Sequence, residues 1–270
     1  MQDTRNKMRV TSHEPRATNK GLTLMEMTVV IAVMALLAVF GLPAIRALIN
    51  SFESEGGAKA MISAGLASAR AIAAKEHHYA GVRFQHAYDP QGLLNAPQYM
   101  VFIVHDFGAT GLEPGFRAVE GINPIRLPGS VGVMDLRTGS TEINSNNDIN
   151  EERELMDTTT FSVVFSPSGK LIIHDVRVRN RDGHYRPINP DDSMDDIFNS
   201  PVNIDIHNTG MFVQDDYAHL GLGEEPSRNR FIIYDKSEFN KVDESKRYSD
   251  YLRYLEPIYI NPYTGTMIKK

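Results

Sequence analysis

An uncharged apolar run constrains this chain more than any other part of its sequence. From Met27 to Ile45 there are 19 consecutive residues without a charge, MTVVIAVMALLAVFGLPAI. At 1.5 Å per residue, an α-helix of this length spans roughly 28 Å, close to the thickness of a bilayer's hydrocarbon core. Apolar residues surround the whole helix and leave no polar stripe. The run therefore favours a transmembrane helix over a buried core helix.

The charges before the run predict its orientation. Residues 1–20 carry five basic residues and two acids, namely Arg5, Lys7, Arg9, Arg16 and Lys20 against Asp3 and Glu14. By the positive-inside rule, this end is expected to stay cytoplasmic, with the rest of the chain across the membrane. A cleaved secretory signal peptide is the alternative. However, the run ends in Arg46-Ala47-Leu48-Ile49-Asn50, which matches an A-x-A-like cleavage site poorly.

One carboxylate, Glu26, stands at the start of the apolar run. An ionisable group in a membrane helix normally has a partner, because burying a lone charge in lipid is costly. Glu26 is therefore expected to pair with a cation. The alternative is that it lies at headgroup level and reaches water.

The residues around Glu26 resemble a known processing site. Lys20-Gly21-Leu22-Thr23-Leu24-Met25-Glu26 is similar to the cleavage site of type IV prepilins and type II secretion pseudopilins. The resemblance implies that a prepilin peptidase cuts between Gly21 and Leu22, and that the new amine of Leu22 is methylated. It implies that Glu26, the fifth mature residue, pairs with the N-terminal amine of a neighbouring subunit. Pro43 matches a proline common in the family's membrane helix and is expected to kink the helix, because proline has no amide proton. Leu22 replaces the usual Phe.

The segment after the run predicts a second, amphipathic stretch of helix. Residues 56–78 read GGAKAMISAGLASARAIAAKEHH, and their many alanines favour a helix. Apolar residues recur at three- and four-residue steps, at Ala58, Met61, Ile62, Leu66, Ala69, Ile72 and Ala73, with Gly65 on the same face. A continuous helix from about Leu22 to His77 would be roughly 80 Å long. Its second half is expected to pack on a sheet.

The rest of the chain predicts short strands separated by turns. The candidate strands are Tyr79–Gln85, Gln98–His105, Gly132–Leu136, Thr160–Phe165, Lys170–Val178, Val202–His207, Gly210–Gln214 and Arg230–Tyr234. Ser166-Pro167-Ser168-Gly169 is typical of a hairpin turn. Thr138–Asp157 and Asn180–Asn199 are predicted loops, and Lys236–Leu255 predicts a short helix.

These patterns together predict an α+β, pilin-like fold, in which a long N-terminal helix packs on an antiparallel β-sheet. The expected segments are a cytoplasmic leader (1–21), a transmembrane half-helix (22–48), an amphipathic half-helix (49–78) and a periplasmic β-rich domain (79–270). Within the family, ASARAIAAKEHHYAGVRF and FSVVFSPSGKLIIHDV are most like the H-type minor pseudopilins. The chain is longer than such proteins usually are.

Composition excludes several classes of site. The chain has no cysteine, which rules out disulfides, thiolate zinc sites and a cysteine nucleophile. No HExxH or GxSxG motif occurs, and Gly169-Lys170 lacks the remainder of a P-loop. We therefore expect a structural subunit, not an enzyme.

Three weaker candidate sites remain open, although no cofactor or metal is expected. His77-His78 closes the amphipathic helix, where cationic side chains are favoured and metal binding is the alternative. An acidic loop could hold calcium, as some pseudopilins do, through Asp191, Asp192, Asp195 and Asp196, but it lacks EF-hand spacing. A small basic cluster could bind DNA and consists of Arg177, Arg179, Arg181 and Arg186. The net charge of −6 argues against a general nucleic-acid binder.

The functional prediction is a single-pass inner-membrane pilin or pseudopilin. Its expected partners are a prepilin peptidase, other pilin subunits, the inner-membrane assembly platform and membrane lipid. A DNA-binding minor pilin of an uptake pilus and an anchored periplasmic binding or enzymatic domain are the alternatives. The sequence does not distinguish secretion, twitching, DNA uptake and adhesion, nor a major from a minor subunit.

Overall fold

The computed structural model of this chain describes residues 24–34, 55–86, 92–110, 113–119, 121–138, 141–144, 149–178 and 225–269. The chain divides into two compact units, Met1–Leu48 and Ile49–Lys270. In the first unit, residues 24–34 form a helix, called α1 here. None of the helices within the described ranges combines the length and the apolar character that a bilayer crossing requires. The segment 35–54, which the predicted continuous helix needs, lies outside these ranges.

Helix α2, Glu55–Glu76, is the first described element of the second unit and confirms the predicted apolar stripe. Its fully buried residues are Ala58, Ile62, Gly65, Leu66, Ala69 and Ala73, with Met61 and Ile72 packed partly buried beside them. A Cβ at Gly65 would lie 3.2 Å from Met100 Sδ, so glycine at this position lets the Met100 side chain pack closely against the helix. The helix ends before His77, whose left-handed φ of 56° is common just beyond a helix C-terminus.

A large, mainly antiparallel sheet packs against α2. Its eight strands are β1 (Ala80–His86), β2 (Gln98–His105), β3 (Gly115–Ala118), β4 (Ile125–Arg126), β8 (Phe161–Phe165), β9 (Leu171–Ile172), β10 (Asp175–Val178) and β11 (Glu225–Pro226). The order is β11-β10-β3-β2-β1-β8-β9, with β4 also paired to β2. Only the β10–β3 pair is parallel among the pairs described. The α+β class with an antiparallel-rich sheet is therefore confirmed.

A second sheet has four strands in the order β14-β13-β12-β5. These strands are β5 (Val131–Met134), β12 (Arg230–Asp235), β13 (Ile258–Ile260) and β14 (Met267–Lys269). A small ribbon joins β6 (Arg137–Thr138) to β7 (Thr141–Glu142). The remaining helices are α3 (Phe107–Thr110), α4 (Glu152–Thr159) and α5 (Lys236–Lys241).

One hydrophobic cluster joins α2 to both sheets. Phe84 of β1 stacks on Phe161 of β8 with ring centroids 4.9 Å apart, and Phe231 of β12 lies 5.8 Å from Phe84. At Gly81, a Cβ would come within 2.2 Å of the Val163 carbonyl oxygen, so β1 and β8 need glycine there. This core fixes the two sheets relative to each other.

Five predicted strands correspond to β1, β2, β5, β8 and β12. The strands β3, β4, β6, β11, β13 and β14 were not predicted, and three predicted segments differ from the structure. The predicted strand Lys170–Val178 is interrupted at residues 173–174, because the His174 amide donates to Ser227 Oγ at 3.0 Å. The predicted loop Thr138–Asp157 is wrong in part, since it contains β7 and most of α4. The segment Lys236–Leu255 forms α5 and three short 3₁₀ or π turns, not one helix.

One further prediction is confirmed, and three others fall on residues that the structure does not describe. The turn at 166–169 is confirmed, because the Gly169 amide donates to the Ser166 carbonyl at 2.8 Å and Gly169 has φ of +75°. The predicted strands Val202–His207 and Gly210–Gln214, and the loop Asn180–Asn199, lie outside the described residues.

Candidate functional site

Helix α1 presents an exposed apolar surface on all sides. Every residue from 24 to 34 is exposed. Eight of them are large hydrophobics with exposed fractions between 46% and 86%, namely Leu24, Met25, Met27, Val29, Val30, Ile31, Val33 and Met34. Soluble surfaces rarely carry so contiguous an apolar patch unless it contacts a membrane or a partner.

Glu26 is the one charged residue of α1, and Thr28 lies half a turn beyond it. The Thr28 hydroxyl donates to the Leu24 carbonyl at 2.8 Å, which satisfies that polar group within the helix itself. Polar groups in an apolar environment need such hydrogen bonds within the helix, because no water is there to bind them. Gly21, Leu22 and Pro43, the predicted cut site and kink, lie outside the described residues.

The weaker candidates from the sequence form no site among the residues that the structure describes. His77 and His78 are exposed after α2. Within the described ranges, no three His, Asp or Glu side chains are arranged to hold a metal ion. Arg177 lies in β10, where its amide donates to the Pro114 carbonyl at 3.0 Å. Arg179, Arg181 and Arg186, and the acidic residues 191–196, lie outside the described part of the chain.

A buried ion pair that sequence reasoning missed fastens β11 to the large sheet. Arg83 of β1 is fully buried, and its Nη1 donates to Glu225 Oε1 at 2.5 Å and to Ser162 Oγ at 3.2 Å. Its Nε donates to Gln85 Oε1 at 3.0 Å. An arginine inside the apolar strand AGVRFQH was the one available signal in the sequence.

A second buried pair lies next to the first. Arg228 Nε donates to Asp135 Oδ2 at 2.5 Å, and the Arg228 amide donates to the Ser162 carbonyl at 2.7 Å. Asp135 Oδ1 accepts from the Arg137 amide at 2.9 Å. Burial raises the pKa of Asp135 to about 7, against the opposing effect of Arg228. The two pairs join residues 225–230 to both sheets, so we assign them a structural role.

A third buried polar group surrounds the Ala96 carbonyl. His86 Nδ1 lies 3.0 Å from this oxygen, and Lys236 Nζ donates to it at 2.8 Å. Burial, with a smaller contribution from Lys236, lowers the pKa of His86 to about 3. Burial also lowers the pKa of Lys236 to about 8, with a smaller contribution from Arg126. His86 is therefore neutral at physiological pH.

Neutral His86 predicts a specific pH dependence of stability. Its folded-state pKa lies below the ordinary value of 6.5, so the unfolded chain binds a proton at this group more readily, and the stability contributed by His86 falls as pH drops below 6.5. Between pH 8 and pH 5 this group should remove about 2 kcal/mol of unfolding free energy. Urea unfolding of the wild type and of His86→Gln at both pH values measures the difference.

The control for this prediction is His78→Gln, which removes an exposed histidine. The wild type and His78→Gln should share the same pH dependence, whereas His86→Gln should retain about 2 kcal/mol more of its unfolding free energy than the wild type between pH 8 and pH 5. If the His86→Gln and wild-type curves stayed parallel from pH 8 to pH 5, the assignment of a neutral buried imidazole would be wrong.

No protein-family model, curated protein or solved structure matches this chain.

Proposed function

We propose that this chain is a membrane-anchored minor pilin or pseudopilin, a structural subunit of a type II secretion pseudopilus or a type IV pilus. The observation that carries this proposal is α1. It is a helix with exposed large apolar side chains and one acid, Glu26, placed five residues after the cut-site glycine in the sequence. Residues 20–26 also resemble a prepilin processing site. An apolar N-terminal helix and an acid at the position of Glu26 are both expected of a processed prepilin.

The proposed mechanism has three steps. A prepilin peptidase removes residues 1–21 on the cytoplasmic side. Residues 22–48 then hold the mature chain in the inner membrane, with the β-rich part in the periplasm. During assembly, the carboxylate of Glu26 pairs with the amine of Leu22 in a neighbouring subunit. Charge pairing in lipid is favourable because each unpaired charge there carries a large desolvation penalty.

The outward face of α2 supports assembly by helix packing. Every exposed residue of α2 between positions 60 and 74 is alanine or serine, namely Ala60, Ser63, Ala64, Ala67, Ser68, Ala71 and Ala74. Small side chains let a second helix approach closely, because interhelical distance depends on side-chain size at the contact. We propose that α1 and α2 belong to one long pilin-type helix, with this face towards neighbouring subunits.

Mass spectrometry of the mature N-terminus tests the proposal most directly. The natively expressed protein should begin at Leu22 and carry one methyl group on its amine. The matched control is Gly21→Glu, which should remain unprocessed and begin at Met1, because a large charged side chain replaces the small residue at the cut. A wild-type chain that begins at Met1, or after residue 45, would overturn the pilin assignment.

A further inference from the structure

Four aromatic rings from separate segments of the large sheet form one cluster. Tyr79 precedes β1, His105 ends β2, Phe116 lies in β3, and His174 lies between β9 and β10. The ring centroids of Tyr79 and His174 are 4.4 Å apart, and the Phe116 centroid lies 5.4 Å from that of His105 and 5.7 Å from that of His174. These ring contacts join the β9–β10 connection to the three other segments.

Two of the four rings are imidazoles, which can gain a charge near physiological pH. The ring centroids of His105 and His174 are 6.1 Å apart, and both side chains are partly buried. An unperturbed histidine titrates near a pH of about 6.5. When one imidazole of this pair is protonated, the other takes up its proton beside a like charge. Repulsion between the two cations then opposes their contact.

The surroundings of His105 favour its neutral form. Burial lowers the pKa of His105, and His174 and His78 lower it further, whereas Glu113 and Asp106 act in the opposite direction. Glu113 Oε1 lies 3.6 Å from His105 Nε2, too far for a good hydrogen bond. Within the described residues, this buried nitrogen has no hydrogen-bond partner.

The other charged side chains on the neighbouring elements keep their charge between pH 8 and pH 5. They carry both signs and are Arg117 with Asp106, Lys75 with Glu76, and Asp175 and Arg177 of β10. Carboxylates usually titrate near pH 4, and lysine and arginine above pH 10. Among these described side chains, the histidines are therefore the groups whose charge changes in this range.

The backbone of His174 connects the ring cluster to β11. The His174 amide donates to Ser227 Oγ at 3.0 Å, and the His174 carbonyl accepts from the Ser227 amide at 2.9 Å. The Ser227 hydroxyl also donates to the Ile172 carbonyl at 3.0 Å. A displacement of His174 would therefore loosen residues 225–227, which include β11.

We propose that His105 and His174 form a pH-sensitive latch, which holds the β9–β10 connection and β11 on the large sheet at neutral pH and releases them when both imidazoles are protonated. Protonation is easier in the released state, where the two rings are apart and hydrated. The closed state is therefore lost as pH falls below about 6.5. The latch belongs to the second unit alone and does not depend on the pilin assignment.

Hydrogen–deuterium exchange of the full-length chain in lipid nanodiscs tests the latch. Protection of residues 171–178 and 225–230 is compared at pH 7.5 and pH 5.0, after correction for the intrinsic pH dependence of exchange. The peptide of β8 is the internal reference, because it reports opening of the sheet itself. In the wild type, both segments should lose roughly 10-fold more protection than β8 at pH 5.0, because repulsion worth about 1.4 kcal/mol changes an equilibrium tenfold.

Three variants separate the latch from a general acid effect. His174→Phe keeps a ring but cannot be charged, so the selective loss at pH 5.0 should disappear. Glu113→Gln removes an acid that favours protonation in the closed state, so the loss should increase. The control is His77→Asn, which removes an exposed histidine outside the ring cluster and should behave like the wild type. Asparagine tolerates the left-handed φ of 56° at this position.

Three results would each overturn the latch. The first is a wild type that loses no more protection in these segments than in β8. The second is a His174→Phe variant with the same selective loss as the wild type. The third is a Glu113→Gln variant that loses less protection than the wild type at pH 5.0.

Discussion

The Glu225→Ala variant should lose about 3–5 kcal/mol of unfolding free energy, because it leaves the buried guanidinium of Arg83 without its carboxylate. Arg83 is fully buried, and the Glu225 side chain is only 10% exposed. Water therefore cannot replace the lost partner, and among the described residues Arg83 Nη2 already has no hydrogen-bond partner. The loss should also detach β11 from the sheet, because Glu225 is one of its two residues.

Urea unfolding at pH 7 measures this loss, with Glu256→Ala as the matched control. Glu256 pairs with Lys269 at the same distance of 2.5 Å, but its side chain is 47% exposed. An exposed pair typically contributes about 0–1 kcal/mol, so the control should change little. The double variant Arg83→Met/Glu225→Leu should recover most of the stability, because no buried charge remains. Equal losses in Glu225→Ala and Glu256→Ala would contradict a structural role for the buried pair.

The Glu26→Ala variant should insert into the membrane normally but enter filaments at least roughly 10-fold less often. Removal of the carboxylate makes α1 more apolar, so insertion is not impaired. The neighbouring amine then remains unpaired in lipid, and a difference of only about 1.4 kcal/mol already changes an equilibrium tenfold. The measurement compares the subunit in sheared filaments with that in the membrane fraction, in cells that carry the chain's own assembly machinery.

The control for Glu26→Ala is Glu14→Ala, which removes an acid from the proposed leader. If residues 1–21 are cleaved, the mature Glu14→Ala subunit is identical to the wild type and should assemble equally well. A Glu26→Ala subunit that enters filaments at the wild-type level would refute the pairing role, even if processing at Gly21 were demonstrated.

Elements of the fold could be predicted from the sequence where the pattern lies within one short segment of the chain. The stripe of α2 follows a 3.6-residue period, and each buried position can be identified from its neighbours along the chain. The strand Gln98–His105 has enough β-branched and aromatic residues to be recognised at its observed bounds. By contrast, β4 and β11 have two residues each, and no periodicity can be read from two positions. Their existence depends on pairing with strands elsewhere in the chain.

The missed helix α4 has a different cause. Its N-terminus is capped by an exchange between Glu151 and Glu154, in which each carboxylate accepts a backbone amide. The usual start signal is a serine, threonine, aspartate or asparagine, so this glutamate pair was not recognised. The segment is also strongly polar, which favoured a loop assignment.

The buried charge pairs could not be predicted because their partners are distant in sequence. Arg83 and Glu225 are separated by 142 positions, and Asp135 and Arg228 by 93. The pairing of these charges follows from the crossing of residues 225–230 between two sheets, which is a property of the tertiary structure. A single sequence shows only that a charged residue interrupts an apolar strand.

The alanine and serine face of α2 has a thermodynamic consequence for any helix that docks on it. Alanine has no rotamers to lose, whereas long charged side chains lose up to about 2 kcal/mol each when immobilised. Docking on Ala60, Ala64, Ala67, Ala71 and Ala74 would therefore carry almost no side-chain entropy penalty. The same small side chains also bury little apolar area, so each contact would be weak. An interface of this kind forms and separates readily, and it becomes durable only when many copies repeat it along an assembly.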